Sequence, residues 1–185
     1  MIKYIFSIAL IGIIYQFGFN IENEGQIDSV QTLDSLGQKI ASHDFGATLY
    51  MGSHESIDDL LSVIKDKYKG KAVILDLWGT FCKPCLSDFK NSPAKKAQLK
   101  EIDVHMVYLC AGKSSNPVEW KKVIERDQLI GDHIYLDRAL TDGYMNKFEI
   151  KRYPNYILID KEGNYKTRII SAVNDINIER FQEYL

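Results

Sequence analysis

A chain of 185 residues, 45% hydrophobic and 26% charged, has the size and composition of one globular domain with its own core plus a short appendage. Its formal net charge of −2 and lack of any strongly basic stretch give no electrostatic support for a nucleic-acid partner. Three cysteines are too few for a disulfide scaffold, and the odd count leaves one outside any pair.

Residues 1–20, "MIKYIFSIALIGIIYQFGFN", place one cation, Lys3, before an apolar run from Ile5 to Tyr15 that only Ser7 interrupts. A charged start followed by ~7–15 apolar residues is the pattern of a secretory signal. No small-x-small cleavage site follows, and the run is short for the ~20 residues of a spanning helix. It is expected to be either a cleaved signal peptide or an uncleaved N-terminal membrane anchor. Residues 21–43, "IENEGQIDSVQTLDSLGQKIASH", are polar with scattered single apolar residues, and are expected to be a spacer with one weak helix.

From residue 44 to 185 the pattern is that of one folded domain. "FGATLY" suits a short strand. Ile57, Leu60, Leu61, Ile64 and Tyr68 recur at helical spacing, Ser56 and Asp59 form a capping box, and Gly70 ends the helix. "AVILDLW" (72–78) is a nearly continuous apolar run with one acid, as in a strand buried on both faces. "LSDFKNSPAKKAQLK" is helix-like, with Pro93 as a break or kink. "VHMVYL" is the next strand. Asn116, Pro117 and Glu119 announce a helix to about residue 127, "HIYL" is a short strand, and 141–148 a short helix. "NYILID" and "YKTRIIS" flank the turn "KEGN" as a hairpin, and Asp175 is placed to cap a final helix. Strands alternating with helices, then a hairpin and a helix, predict an α/β fold: a central mixed sheet flanked by helices, with an antiparallel edge.

"WGTFCKPC" (78–85) carries the chemistry. A pair of cysteines two residues apart serves as half a zinc site, a structural disulfide or a redox dithiol. Zinc needs four ligands, and the remaining cysteine, Cys110, and the scattered His43, His54, His105 and His133 do not form a second half-site. A disulfide across so small a loop constrains the unfolded chain little. A dithiol accounts for more. The pair follows a buried strand and opens a helix, where the positive helix end and free N–H groups stabilise a Cys82 thiolate. Cys85, one turn in, is shielded and placed to resolve a mixed disulfide on Cys82.

"LDLWGTFCKPC" resembles the active-site stretch of the thioredoxin superfamily, and "KRYPNYILIDKEGN" resembles its strand opened by a cis-proline, here Pro154. The resemblance runs from about residue 44 to the end. With the export signal, the "WGTFC" wording and an insert of a helix and short strand between Cys110 and Tyr153, it points to the extracytoplasmic TlpA and ResA type. It implies a thioredoxin-like fold and a thiol–disulfide oxidoreductase of the periplasm or the extracytoplasmic face of the membrane, secreted or N-terminally anchored. It implies no cofactor and no metal. Its partners would be disulfide-bearing envelope proteins, apocytochrome c among them, and a membrane electron donor.

The same resemblance assigns site residues. Cys82 is the nucleophile and Cys85 the resolving thiol. Asp76 matches the buried aspartate that exchanges a proton with the second cysteine, burial raising its pKa; the alternative is a solvated place at the sheet edge. The family's lysine near that acid has no counterpart on "VHMVYL", where His105 and Tyr108 are the available polar side chains. Trp78 and Phe81 wall the dithiol or simply pack. Tyr153 and Pro154 present a backbone edge to a substrate peptide. Lys83 and Pro84 fill the positions between the cysteines, and by charge Lys83 favours the thiolate and pushes the couple toward oxidising, unless solvent screens it. Kinship favours a reductant, so the direction of electron flow stays open. Cys110 reads as a small core residue. Two alternatives remain: a redox-silent or copper-handling thioredoxin-like binding module, and a thiol peroxidase.

Overall fold

A computed structural model describes residues 33–185. The N-terminal apolar run and the first part of the expected spacer lie outside the described residues. Among those described, no helix is long and apolar enough to cross a membrane.

The strands are β1 (Leu33–Asp34), β2 (Gly37–His43), β3 (Ala47–Met51), β4 (Ala72–Trp78), β5 (Val104–Ala111), β6 (Gly131–Leu136), β7 (Asn155–Ile159) and β8 (Tyr165–Thr167). The helices are α1 (Ile57–Lys67), α2 (Lys83–Asn91), α3 (Pro93–Glu101), α4 (Pro117–Arg126), α5 (Arg138–Lys147) and the single turn α6 (Ile178–Phe181). One sheet of eight strands runs in the order β1-β2-β3-β6-β5-β4-β7-β8. Its middle, β3-β6-β5-β4, is parallel, while β7 and β8 on one side and β2 and β1 on the other are antiparallel. This is the predicted α/β architecture. The insert strand β6 is not marginal: it lies between β3 and β5, parallel to both.

Strand alternation divides the core. Val73, Leu75 and Leu77 of β4 face the layer of α1 and α5, where Leu60, Leu61, Ile64, Leu140 and Tyr144 are buried. Ile74 and Trp78 face the other layer, with Phe89 of α2, Leu99 of α3, and Trp120 and Ile124 of α4. Asp76 shares the parity of Ile74 and Trp78, so it points into this second layer. β4 is buried at every position, as its apolar run predicts.

Two expectations change. The sheet begins before residue 44: β2 occupies 37–43 of the expected spacer and pairs with β3, from Gln38↔Met51 to His43↔Ala47. It is a half-exposed outer strand with a register shift between Lys39 and Ala41, so its residues lack a clean apolar alternation. The final helix is one turn capped by Asn177, whose side chain accepts from the Arg180 N–H, while Asp175 ends a preceding 3-10 turn. Pro93 breaks the helix-like stretch, as expected: it separates α2 from α3 and sits in the first turn of α3, where its missing N–H costs nothing.

Candidate active site

β4 delivers the cysteines to the C-terminal edge of the parallel strands. After Trp78 the chain turns through 79–81, with the Cys82 N–H donating to the Gly79 carbonyl at 2.9 Å, and α2 begins at Lys83. Pro84 stands in the first turn of α2, where no N–H is required. Cys82 is the N-cap: its Sγ accepts from the Cys85 N–H at 3.2 Å. The two cysteines form a disulfide, with Cα atoms 5.3 Å apart. Cys82 retains 5% exposure and Cys85 none, so Cys82 is the cysteine nearer the surface. In the reduced state the same N–H and the positive end of α2 favour a Cys82 thiolate.

Neighbouring loops fix the rim. Thr80 ties the dithiol loop to the segment after β5, its N–H donating to Ser115 Oγ (3.1 Å) and its Oγ1 accepting from the Asn116 N–H (3.2 Å). Leu77 pairs with Asn155, which sets the segment before β7 beside the dithiol loop, and the Tyr153–Pro154 peptide is cis. The Tyr153 ring meets Phe81 edge-on at 5.5 Å, and Tyr153 Oη donates to Met145 Sδ at 3.2 Å. Phe81 is 48% exposed. Trp78 differs from Phe81: it is fully enclosed, edge-on to Phe89 at 4.9 Å, and supports the site from below with no face open to a substrate.

The core layer that holds the dithiol also receives a buried acid from β4. Asp76 is wholly buried on a central strand, not at the sheet edge, in register with Tyr108 of β5 and Tyr156 of β7. Neither carboxylate oxygen has a hydrogen-bond partner. Burial pushes its pKa up to about 8, against the pull of Lys96 and with a further push from Asp88. Lys96 is the cation that the neighbouring strand lacks, and it comes from α3. Its Nζ has no hydrogen-bond partner and lies 4.8 Å from the Phe89 ring centre and 5.3 Å from that of Tyr108. Burial lowers the Lys96 pKa, and the negative charges of Asp76 and Asp88 oppose that. The sequence carries a faint signal for it: Lys96 stands three residues before Leu99, the one buried apolar side chain of α3.

Asp88 is a second acid that sequence reasoning missed. It is buried on α2 and accepts from Tyr156 Oη (2.8 Å) and from the N–H groups of Val173 (3.3 Å) and Asn174 (3.4 Å). It thereby fastens the C-terminal segment to the helix that carries Cys85. Of the two polar side chains on β5, Tyr108 lies at Asp76, whereas His105 sits at the far end, paired with Asp103 at 3.0 Å.

Cys110, the penultimate residue of β5, lies opposite Trp78 and is fully buried. Burial pushes its thiol up to about 12, partly offset by a hydrogen bond from Ser115, so it stays protonated. His133 is enclosed on β6, stacked on Tyr108 at 4.5 Å with Nε2 at 2.7 Å from the Leu129 carbonyl. Burial drops its pKa to about 3, so the ring remains neutral. Among the described residues, no three His, Cys, Asp or Glu side chains are grouped to hold a metal ion.

No family profile matches the chain. The ResA thiol-disulfide oxidoreductase of Geobacillus kaustophilus is 33% identical over 116 residues, 63% of this chain and 64% of that protein. ResA of Bacillus subtilis is 25% identical over 119 residues, 63% of each. The chain therefore spans somewhat less than two thirds of the length of these curated relatives. Among solved structures, the thioredoxin domain of a thiol-disulfide oxidoreductase from Bacteroides vulgatus superposes with a TM-score of 0.55 at 21% identity, covering 63% of this chain and 82% of that one. A thioredoxin-family thiol:disulfide interchange protein from Chlorobium tepidum gives 0.53 at 19% identity, covering 64% and 82%. The chain thus has the expected thioredoxin-like fold, and in sequence it is similar to the ResA group of thiol-disulfide oxidoreductases.

Proposed function

We propose that the protein is a thiol-disulfide oxidoreductase that works through Cys82 and Cys85 on the extracytoplasmic side of a membrane, secreted or held by its N-terminal segment. The observation that carries this reading is the pairing of the two cysteines at a helix N-terminus, one slightly exposed and one enclosed, after a strand that carries a wholly buried carboxyl. As a reductant, the Cys82 thiolate attacks one sulfur of a substrate disulfide. That S–S bond breaks, a Cys82–substrate disulfide forms, and the first substrate thiolate leaves and takes a proton from water. Cys85 gives its proton to the Asp76 carboxylate by way of water, attacks Cys82 Sγ and releases the second substrate thiolate. The substrate gains two electrons and the protein returns to the disulfide. A membrane electron donor must then reduce it.

Phe81, Tyr153 and Pro154 are the substrate-facing rim in this reading, and Lys83 and Pro84 tune the couple. Substrates would be disulfide-bearing envelope proteins, with apocytochrome c among them by analogy with the similar ResA proteins.

The deciding experiment is a redox titration of the full chain in glutathione and dithiothreitol buffers, with Cys82→Ser as control. A two-electron couple well below the glutathione potential is expected for a reductant. A potential near or above it would make the protein an oxidase or isomerase. A chain with no two-electron couple would instead be a binding module. Peroxide consumption at enzymatic rates would replace the reading with a thiol peroxidase.

A further inference from the structure

The dithiol is framed by cations. Lys83 stands between the cysteines at the first position of α2, and Lys151 and Arg152 precede Tyr153 directly. The contact of Tyr153 with Phe81 at 5.5 Å and the pairing of Asn155 with Leu77 bring 151–153 alongside the loop that ends in Cys82. All three cations are exposed, and among the described residues none takes part in an ion pair.

The other charges around them are matched. Lys113 pairs with Asp142 at 3.0 Å and Arg138 approaches the same acid at 3.9 Å. Lys147 pairs with Asp58 at 2.6 Å, and Arg168 lies 3.6 Å from Glu149. The acids nearest in the chain to Lys151, namely Asp142, Glu149 and Asp160, are each engaged by another cation, Asp160 by Lys166 at 3.2 Å. What remains at the rim is uncompensated positive charge on a protein whose formal net charge is −2. What sets these three apart from the other exposed cations is their place: one lies between the cysteines and two directly before the Tyr153 that meets the half-exposed Phe81.

We infer that this rim selects partners whose disulfide is flanked by acidic side chains: an acidic peptide segment carrying an apolar residue against Phe81. The inference rests on the oxidoreductase reading and adds the substrate class to it. Its physical basis is steering. A cationic rim raises the local concentration of anionic disulfides and offsets the repulsion between the Cys82 thiolate and a negatively charged partner. It does so through encounter rate, and salt weakens it.

The test uses the full chain, reduced and freed of reductant, against three small symmetric disulfides: hydroxyethyl disulfide (neutral), dithiodipropionate (a dianion) and cystamine (a dication). Rates are followed by acid quench and alkylation mass spectrometry, and each is divided by the rate for dithiothreitol, which removes the intrinsic reactivity of the compound. The normalised rate for the dianion should exceed that for the dication by about tenfold at low ionic strength and converge on it above ~0.5 M salt. Lys151→Glu with Arg152→Glu should bring that ratio to one or below, and Arg152→Gln alone should move it part of the way. A wild-type ratio at or below one, or a ratio the double substitution leaves untouched, overturns the acidic-partner inference while reaction with the neutral disulfide still stands. Failure to react with all three, the neutral one included, removes the oxidoreductase reading and the inference with it.

Discussion

Asp76→Asn keeps the shape of the side chain and removes its ability to ionise, so it isolates the cost of holding a carboxyl in the core. In the folded protein that carboxyl sits at about 8, against an ordinary 3.8. Between these values the unfolded chain releases the proton and the folded protein keeps it, so stability falls as pH rises from about 3.8 to about 8 and changes no further above that. With one pH unit corresponding to a tenfold change in protonation, the cost is ~2 kcal/mol at pH 5, ~4 at pH 7 and ~6 at pH 9. Asparagine escapes this cost but keeps an unpaired amide in the core, which takes back ~1–2 kcal/mol. The variant should therefore be more stable than the parent by about 2–3 kcal/mol at pH 7, and by clearly more at pH 8.5 than at pH 5. Urea unfolding of the two oxidised proteins across that pH range measures the difference directly. A gain that is flat with pH, or a loss at pH 7 and above, would show that Asp76 is not a buried group titrating near neutrality, and its proposed part in deprotonating Cys85 would go with it.

Lys96→Met removes the cation that pulls the Asp76 carboxyl down, so the Asp76 titration followed by carboxyl carbon NMR should move to higher pH; an unmoved midpoint would mean that the two charges do not meet. Tyr156→Phe deletes a 2.8 Å hydrogen bond to the buried Asp88 and should cost ~1.5–3 kcal/mol by urea unfolding. A cost below ~0.5 kcal/mol would mean that the Val173 and Asn174 N–H groups satisfy that carboxylate unaided. Gly112→Ala would drive a Cβ onto the Leu136 carbonyl oxygen, backbone against backbone, and should lower stability by at least ~1–3 kcal/mol; a neutral result would show that this loop shifts freely.

Much of the site was legible because its signals are local. Two cysteines three apart behind a buried strand are positioned by that strand, by one turn of helix and by a proline in its first turn, none of which needs a distant residue. Asp76 stood out as the single acid in a run that is apolar on both faces, and the structure places it wholly inside. The α/β class followed from periodicity, which a strand or helix carries along its own length.

Other features depend on which elements become neighbours. The sequence placed an insert strand before Tyr153 but could not set it between β3 and β5, because strand order comes from crossovers and not from local pattern. It left 37–43 in a spacer, since an outer strand that stays half solvated needs no alternation of its own. It supplied no cation for Asp76 because it searched the adjacent strand, whereas Lys96 arrives from a helix whose rotation is set by Leu99 docking on the sheet. Asp88 carries no local signal in the sequence, because its donors arrive only when the C-terminal segment folds back on α2. Residue types and spacing by themselves determined the reactive pair, the buried acid on the strand before it and the class of fold. Only tertiary structure decided which charges would face that acid, because burial and partnership belong to pairs of elements brought together by the core, and no single stretch of chain encodes them.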